Sequence, residues 1–398
     1  MKKRIFINFH YMELGGAERA LLGLLNALDT ERVDVDLFIN QHTGPFMALI
    51  PKKINLLPEM RGYNAIERPM KQIIKEGQFK IVLARLLSKL KFKLYLKKNG
   101  LTRDASRTHY LFDEVIKFLP DLHHLGEYDL AISFLDPPHI VQQKVLAKKR
   151  IEWIHTDWGT HHINYDKLFP HWKRNDYIAS ISPDITKSFL SKFPALKDKI
   201  VLIENILSPE LIRAEAKNGE AVEVNGFDGL KLVSVGRISK LKNFDNIPFM
   251  AQHLKGLGLK FKWFIIGQGN HEAIDKDITA TGIQDYVEFL GARSNPYPYV
   301  KACDIYVQPS RWEGKSVAVR EAQILCKPVI ITRYPTSSSQ LTDGIDGVIC
   351  EMDNESVAQA IYDLAHDKER QQKIISYLAT HDYGNETEVD KIYQLINA

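Results

Sequence analysis

The pattern that most constrains this chain is an alternation of strand, loop and helix that runs, stops and starts again. Residues 4–9 read as a first strand, a turn containing Gly15-Gly16 follows, residues 17–28 read as an apolar-periodic helix, and residues 33–40 as a second strand. Further strands are expected at 129–134, 150–155 and 177–182. Residues 205–229 are polar, rich in Glu, Asn and Gly and weakly periodic, as a linker is. The pattern then restarts, with strands at 230–235, 260–266, 286–290, 304–308 and 328–332 and helices near 244–257 and 317–326. Strands separated by helices build a parallel sheet covered by those helices. The chain is therefore expected to be α/β, with two Rossmann-like domains at 1–205 and 206–380. Residues 381–398 should hold a terminal helix, because Val389, Ile392, Tyr393 and Ile396 recur at helical spacing. Its apolar face is expected to pack back on the N-terminal domain. Residues 42–128 fit neither repeat and are read as a helical, basic insertion.

Composition bounds the classes that remain. A chain of 398 residues is long for a single core. Its 44% apolar and 26% charged content is that of a soluble globular protein. There is no uninterrupted apolar run of about 18 residues, so no spanning helix is expected. Ile5-Phe6-Ile7 after a basic start reads as a strand rather than a signal peptide. Cys303, Cys326 and Cys350 lie far apart, which argues against a zinc site or a disulfide framework and fits a reducing cytoplasm.

Four features of the second half point to a nucleotide. Val235-Gly236-Arg237 ends a strand five residues before Lys242, which aims two cations at the carboxyl end of a sheet. Two fixed cations suit a pyrophosphate and favour a departing nucleoside diphosphate. Ile266-Gly267-Gln268-Gly269, again at a strand end, lets a ligand approach the backbone. Glu313-Gly314-Lys315-Ser316 precedes a helix carrying Glu321, so the amides of Gly314, Lys315 and Ser316 fall at a helix N-terminus that attracts anions. One of the two carboxylates can then serve the sugar and the other the ribose. Leu290, ending the strand before Gly291, offers backbone groups to a base edge. Each feature alone has an ordinary reading as a surface charge, a capping acid or a turn; their order at successive strand–helix junctions is what carries the reading.

At these residues the chain resembles the retaining glycosyltransferases of the GT-B fold, specifically glycosyltransferase family 4. The matching elements are Gly236-Arg237…Lys242, the paired Glu313 and Glu321, and Gly15-Gly16 in a Gly-Gly-Ala-Glu-Arg run. Asn295-Pro296-Tyr297 and Glu313-Gly314-Lys315-Ser316 are similar to the bacterial capsule and exopolysaccharide members. Where many members continue with Gly-Phe-Gly or Gly-Leu-Pro after the first glutamate, a lysine stands here.

The resemblance implies two parallel sheets facing a central cleft and a UDP- or GDP-sugar as donor substrate, with no further cofactor. It implies transfer with retention to a glycan or lipid-linked glycan, in surface polysaccharide biosynthesis. Arg237 and Lys242 would then stabilise the departing diphosphate, with amides near Gly15, Gly16 and Gly314–Ser316, and Glu313 would orient the donor sugar. His155, at the end of a first-half strand, corresponds to the family's cleft histidine; a hydrogen-bonded structural histidine is the other reading. Asp157, Trp158 and His161 beside it are candidates for the acceptor. No bound metal is expected.

The net charge of +4 hides a local excess: residues 71–103 hold ten lysines and arginines and one acid, Glu76. Leu83, Leu86, Leu87, Leu90 and Leu94 follow helical spacing, with Arg85, Lys89 and Lys93 toward another face. This reads as a basic amphipathic helix on an anionic membrane surface, giving a cytoplasmic protein a peripheral place on the inner face of the cell membrane. The same spacing also fits a helix packed on its own domain. No nucleic-acid motif accompanies the charge, so a nucleic-acid partner is not expected. Two other functions remain open, a GT-B sugar-nucleotide epimerase and a non-enzymatic sugar-nucleotide-binding protein. A dinucleotide oxidoreductase is disfavoured because the first strand lacks a GxGxxG turn.

Overall fold

The computed structural model describes residues 2–156, 158–159 and 161–398. The chain divides into two compact units. One comprises residues 1–206 with 386–398, the other residues 207–385.

The first unit is built on β1 (Lys3–Phe9), β2 (Val33–Ile39), β3 (Asn55–Leu56), β4 (Tyr128–Ser133), β5 (Ala147–Ile154), β6 (Tyr177–Ser180) and β7 (Ile200–Leu202). They form one sheet in the order β3-β2-β1-β4-β5-β6-β7, and every recorded pairing is parallel. A parallel sheet is covered on both faces, so its strands need apolar residues at successive positions. β1 shows this: Ile5, Ile7 and Phe9 join one core and Phe6 the core on the opposite face. The Val389–Asn397 helix completes the first of these, contributing Val389, Ile392, Tyr393, Leu395 and Ile396. It is fixed there by the Tyr393 hydroxyl, which accepts from the Asp29 amide at 2.8 Å.

The second unit carries β8 (Leu230–Val235), β9 (Phe261–Ile266), β10 (Val287–Gly291), β11 (Ile305–Gln308), β12 (Val329–Thr332) and β13 (Val348–Cys350), in the order β10-β9-β8-β11-β12-β13. Its pairings are parallel too, and Trp263 and Ile265 face one core while Phe264 and Ile266 face the other. Both units are thus Rossmann-like. In each, the strand order reverses once, between β1 and β4 and between β8 and β11. In open α/β sheets, ligands bind beyond the carboxyl ends of the strands at that reversal.

The stretch expected to be a linker contains two short helices, Pro209–Glu215 and Val222–Asn225. The Ser208 hydroxyl caps the first by accepting from the Leu211 amide. The insertion read from sequence forms the crossover between β3 and β4. Its helices Met70–Lys75, Phe79–Lys98 and Arg107–Val115 bury Ile73, Ile81, Ala84, Phe112 and Val115 against the sheet. No helix among the described residues is long and apolar enough to cross a membrane.

Candidate functional site

The strand reversal of the second unit puts the loops after β8 and β11 side by side, and these are the loops that carry the charged residues singled out by sequence. Arg311 ties them together: its guanidinium makes paired bonds to Asp245 at 2.8 and 3.0 Å, and its amide donates to the Leu241 carbonyl at 2.8 Å. Lys242 Nζ lies 2.5 Å from Glu313 Oε1, so the cation and the carboxylate meet across the reversal. The lysine stem runs over Gly236, where an added Cβ would sit 3.5 Å from Lys242 Cε. Arg237 is exposed, and its side chain has no hydrogen bond or ion pair among the described residues.

Glu313 is buried and held from several sides. Ser310 Oγ donates to Glu313 Oε1 at 2.7 Å, Gln308 Nε2 donates to Ser310 Oγ at 3.0 Å, and the Tyr306 hydroxyl donates to Gln308 Oε1 at 2.8 Å. Thr336 Oγ1 donates to the Glu313 carbonyl at 2.6 Å, and Thr332 Oγ1 donates to the Ser310 carbonyl. This chain of hydroxyl and amide groups fixes one rotamer of a carboxylate that would otherwise swing. Sequence reasoning missed it, because Ser, Thr and Gln carry no spacing signal. Glu321 is also buried, and its Oε1 accepts from the Tyr297 hydroxyl at 2.7 Å. Here a signal existed, since Tyr297 belongs to the Asn295-Pro296-Tyr297 run. The same run is anchored by Asn295 Nδ2, which donates to the Glu215 and Asn218 carbonyls.

Gly267 answers to a close backbone approach: a Cβ there would fall 1.8 Å from the Gly236 carbonyl oxygen. Only glycine allows β8 and β9 to end so near one another. Leu290 is the extra residue of a bulge, for Phe289 pairs with Ile265 and Gly291 with Ile266. β10 is moreover an edge strand. A bulge on an edge leaves backbone groups unspent.

Ser316 requires a correction. Its amide, expected to face an anion, donates instead to Gln340 Oε1 at 2.6 Å, and Gln340 Nε2 donates back to the Ser316 carbonyl at 3.3 Å. Gly314 and Lys315, which precede Ser316 at this helix entry, are both half-buried.

The first unit treats its own reversal differently. Gly15 and Gly16 open the Gly16–Ala27 helix, and Gly16 has open space around it. The Glu18 carboxylate folds over this start, its Oε2 lying 2.2 Å from where a Gly15 Cβ would be. Burial pushes Glu18 above the usual carboxylate range. Past β4, Asp136 receives His109 Nε2 at 2.7 Å. Glu152, fully buried on β5, is driven well above its ordinary value by burial and then by Asp136, so it is the protonated member of that pair. His139 Nε2 lies 2.8 Å from Asp113 Oδ1, and burial lowers His139 to about 4.

His109, His139 and His171 form a three-ring group whose donor atoms lie within 4.8 Å of one another. The His139 and His171 rings stack at 4.1 Å and 29°, and their Nε2 atoms both face Asp113 Oδ1, at 2.8 and 3.5 Å. Two Asp-x-Asp tripeptides are present, Asp34-Val35-Asp36 and Asp275-Lys276-Asp277. The first lies in the amino-terminal half of β2, where Asp36 accepts from Tyr128 and Asn55.

His155 follows β5. Its Nε2 is buried without a partner, and burial lowers the ring to about 4, so it is neutral near pH 7. Of the acceptor candidates, Asp157 lies outside the described residues. Trp158 is corrected: it is buried in an aromatic core, edge-on to Trp172 at 6.0 Å and Phe193 at 6.3 Å, and offers no face to a sugar. His161 is exposed beside it. Arg85 is corrected as well. It turns toward the protein and donates to the Ala65 and Arg68 carbonyls at 3.0 and 2.5 Å, whereas Lys89 and Lys93 are exposed.

Residues 220–380 match the family model described as glycosyl transferases group 1. An uncharacterized glycosyltransferase of Haemophilus influenzae is 24% identical, over 98% of this chain and 99% of its own length. A lipopolysaccharide core biosynthesis glycosyltransferase, LpsE of Rhizobium meliloti, is 26% identical over 35% of this chain and 41% of its own. Among solved structures, Anabaena Alr3699/HepE in complex with UDP and glucose superposes with a TM-score of 0.66 at 15% identity, covering 99% of both chains. The two Rossmann-like units are thus those of GT-B glycosyltransferases.

Proposed function

We propose, from the premise that the C-terminal unit carries a group 1 glycosyl transferase domain, that this chain transfers a sugar from a UDP- or GDP-sugar with retention of anomeric configuration, as a family 4 enzyme. The acceptor is a glycan or a lipid-linked glycan of surface polysaccharide biosynthesis, which suits a peripheral place at the membrane. The observation that carries the reading is the Lys242–Glu313 pair at the β8/β11 reversal, with Arg237 exposed beside it.

A diphosphate entering this corner meets two cations and the amides of Gly314 and Lys315. Lys242 has three N–H donors and spends one on Glu313, which leaves two for phosphate oxygens. Glu313, fixed by Ser310 and Thr336, is set to accept hydroxyls of the donor sugar. Glu321 is assigned to the ribose and the Leu290 bulge to the base, with the glycine backbone at Gly236 and Gly267 lining the approach.

The acceptor oxygen attacks C1 from the face the diphosphate leaves. The C1–O bond to phosphate breaks, the new glycosidic bond forms, and the acceptor's proton passes to the departing phosphate oxygen. Charge grows on that phosphate in the transition state, where Arg237 and Lys242 act; prepositioned donors at such a point are the largest single source of rate. No side-chain nucleophile is required. The N-terminal unit's proposed contributions are the Gly15–Gly16 turn, His161, and His155, whose neutral ring serves as a hydrogen-bond partner rather than a cation.

The test is to incubate the protein with UDP- and GDP-sugars and glycan acceptors, follow nucleoside diphosphate release, and read the product linkage by NMR. Retained configuration with loss of release in Glu313→Gln is expected. Inverted product, or full activity in that variant, overturns the reading.

A further inference from the structure

Three separate segments of the first unit each send one imidazole to a common point. His109 comes from the Arg107–Val115 helix, His139 from the short His139–Gln143 helix and His171 from the Tyr165–Arg174 helix. All three rings are buried, and one nitrogen from each lies within 4.8 Å of the other two. The ring centres stand 5.4 Å apart for His109 and His139, 5.2 Å for His109 and His171, and 4.1 Å for His139 and His171. A tetrahedral ion bound to imidazole nitrogens at about 2.0–2.1 Å sets ring centres roughly 5 Å apart.

The hydrogen bonds show which nitrogens are spent. His109 Nε2 meets Asp136 Oδ1 at 2.7 Å, and His139 Nε2 meets Asp113 Oδ1 at 2.8 Å. A carboxylate facing a neutral imidazole takes its one N–H, so the lone pair is left on Nδ1. Both of these Nδ1 atoms are buried with no hydrogen-bond partner among the described residues. His171 turns Nε2 to Asp113 Oδ1 at 3.5 Å and Nδ1 to Gln142 Oε1 at 3.4 Å, two acceptors that one N–H cannot both serve. A histidine that only fills a core has no use for a bare lone pair, and burying one is costly. A carboxylate on one ring nitrogen and a bare lone pair on the other is the arrangement of a metal-bound histidine, whose outer carboxylate fixes the tautomer and raises the basicity. Asp113 and Asp136 behind the rings also offset the charge of a divalent ion, although Lys167 shares Asp113.

We propose that His109, His139 and His171 hold one divalent transition-metal ion through a nitrogen each, pinning the three helices together. Imidazoles without a thiolate suit zinc, with a water left to fill the fourth position. The ion takes no part in the proposed sugar transfer. Holding it needs no donor, and its failure leaves the transferase reading standing.

The experiment uses the full chain purified without a histidine tag, stripped with a chelator and dialysed, with zinc chloride or cobalt chloride as the probe. Calorimetric titration should give one equivalent of zinc, and excess zinc should raise the melting temperature. Cobalt should give the visible absorption of a low-coordinate site. With the histidines labelled in their ring nitrogens, zinc should shift the signals of three rings out of 14. His109→Gln and His139→Gln should each weaken zinc binding by at least about 100-fold. His253→Gln, at an exposed position, should leave it unchanged. The wild-type titration and nitrogen shifts need no variant, so the test stands even where a buried substitution unfolds the chain. The proposal is overturned if wild type takes up no stoichiometric zinc or cobalt, if the shifted rings are not these three, or if both folded glutamine variants bind zinc as tightly as wild type.

Discussion

The loops after β8 and β11 and the loops after β1 and β4 hold equivalent places in two sheets of like topology, yet they handle charge in opposite ways. In the C-terminal unit, Lys242 and Glu313 pair across the reversal, and Arg237 is left exposed. In the N-terminal unit the polar groups turn inward. Asp136 is spent on His109, Glu152 holds a proton, and Glu18 closes the start of its own helix. Topology therefore offers a binding position twice, and the side chains decide what it takes. An anion suits the corner that keeps cations available, whereas a neutral, hydroxyl-rich ligand suits the one whose carboxylates and imidazoles are already satisfied or uncharged.

Substitutions should separate the two regions. The largest effect is expected from Lys242→Met, which should lower kcat by about 10²–10³-fold, the usual loss for one prepositioned donor. A fall of less than about threefold would place the diphosphate elsewhere. Next, Trp158→Ala should cost about 3–5 kcal/mol of stability as a core deletion, with KM for the acceptor unchanged in the folded fraction. A selective rise in that KM, without destabilisation, would restore Trp158 to the acceptor site.

The smallest effect concerns Glu152. Its carboxyl is raised well above the value of 4.5 that the unfolded chain shows, so the folded state holds a proton the unfolded state releases. That contribution is complete below pH 4.5 and is lost as the pH rises toward the folded value. Glu152→Gln carries no such proton. It should match wild type within about 1 kcal/mol near pH 5 and gain on it progressively through pH 8, as followed by urea melts. A widening loss with rising pH would mean that Glu152 is ionised in the fold.

The fold was legible where apolar runs were long enough to be buried on both faces, as in β1, β8 and β9. β3, with two residues, gives no periodicity to detect. The charged residues of the candidate site were legible from their order at successive strand–helix junctions, since each alone reads as an ordinary surface charge or cap. Side-chain direction was not. Trp158 and His161 stand three residues apart, and nothing in the sequence says that one is buried and the other exposed. Spacing did find the leucines of the Phe79–Lys98 helix, but a second apolar side at Ile81 and Ala84 decides which face the protein takes. The Ser316 amide was unreadable for a similar reason, since its partner Gln340 lies 24 residues on.

The central claim is that the cations at the β8/β11 reversal hold a nucleoside diphosphate. Isothermal titration of UDP and GDP into wild type and into Arg237→Met/Lys242→Met tests it without needing an acceptor. The account predicts binding of at least one nucleotide to wild type, and its loss or a drop of about 100-fold in the variant, with the variant still folded by circular dichroism. Equal affinity in both proteins would contradict it.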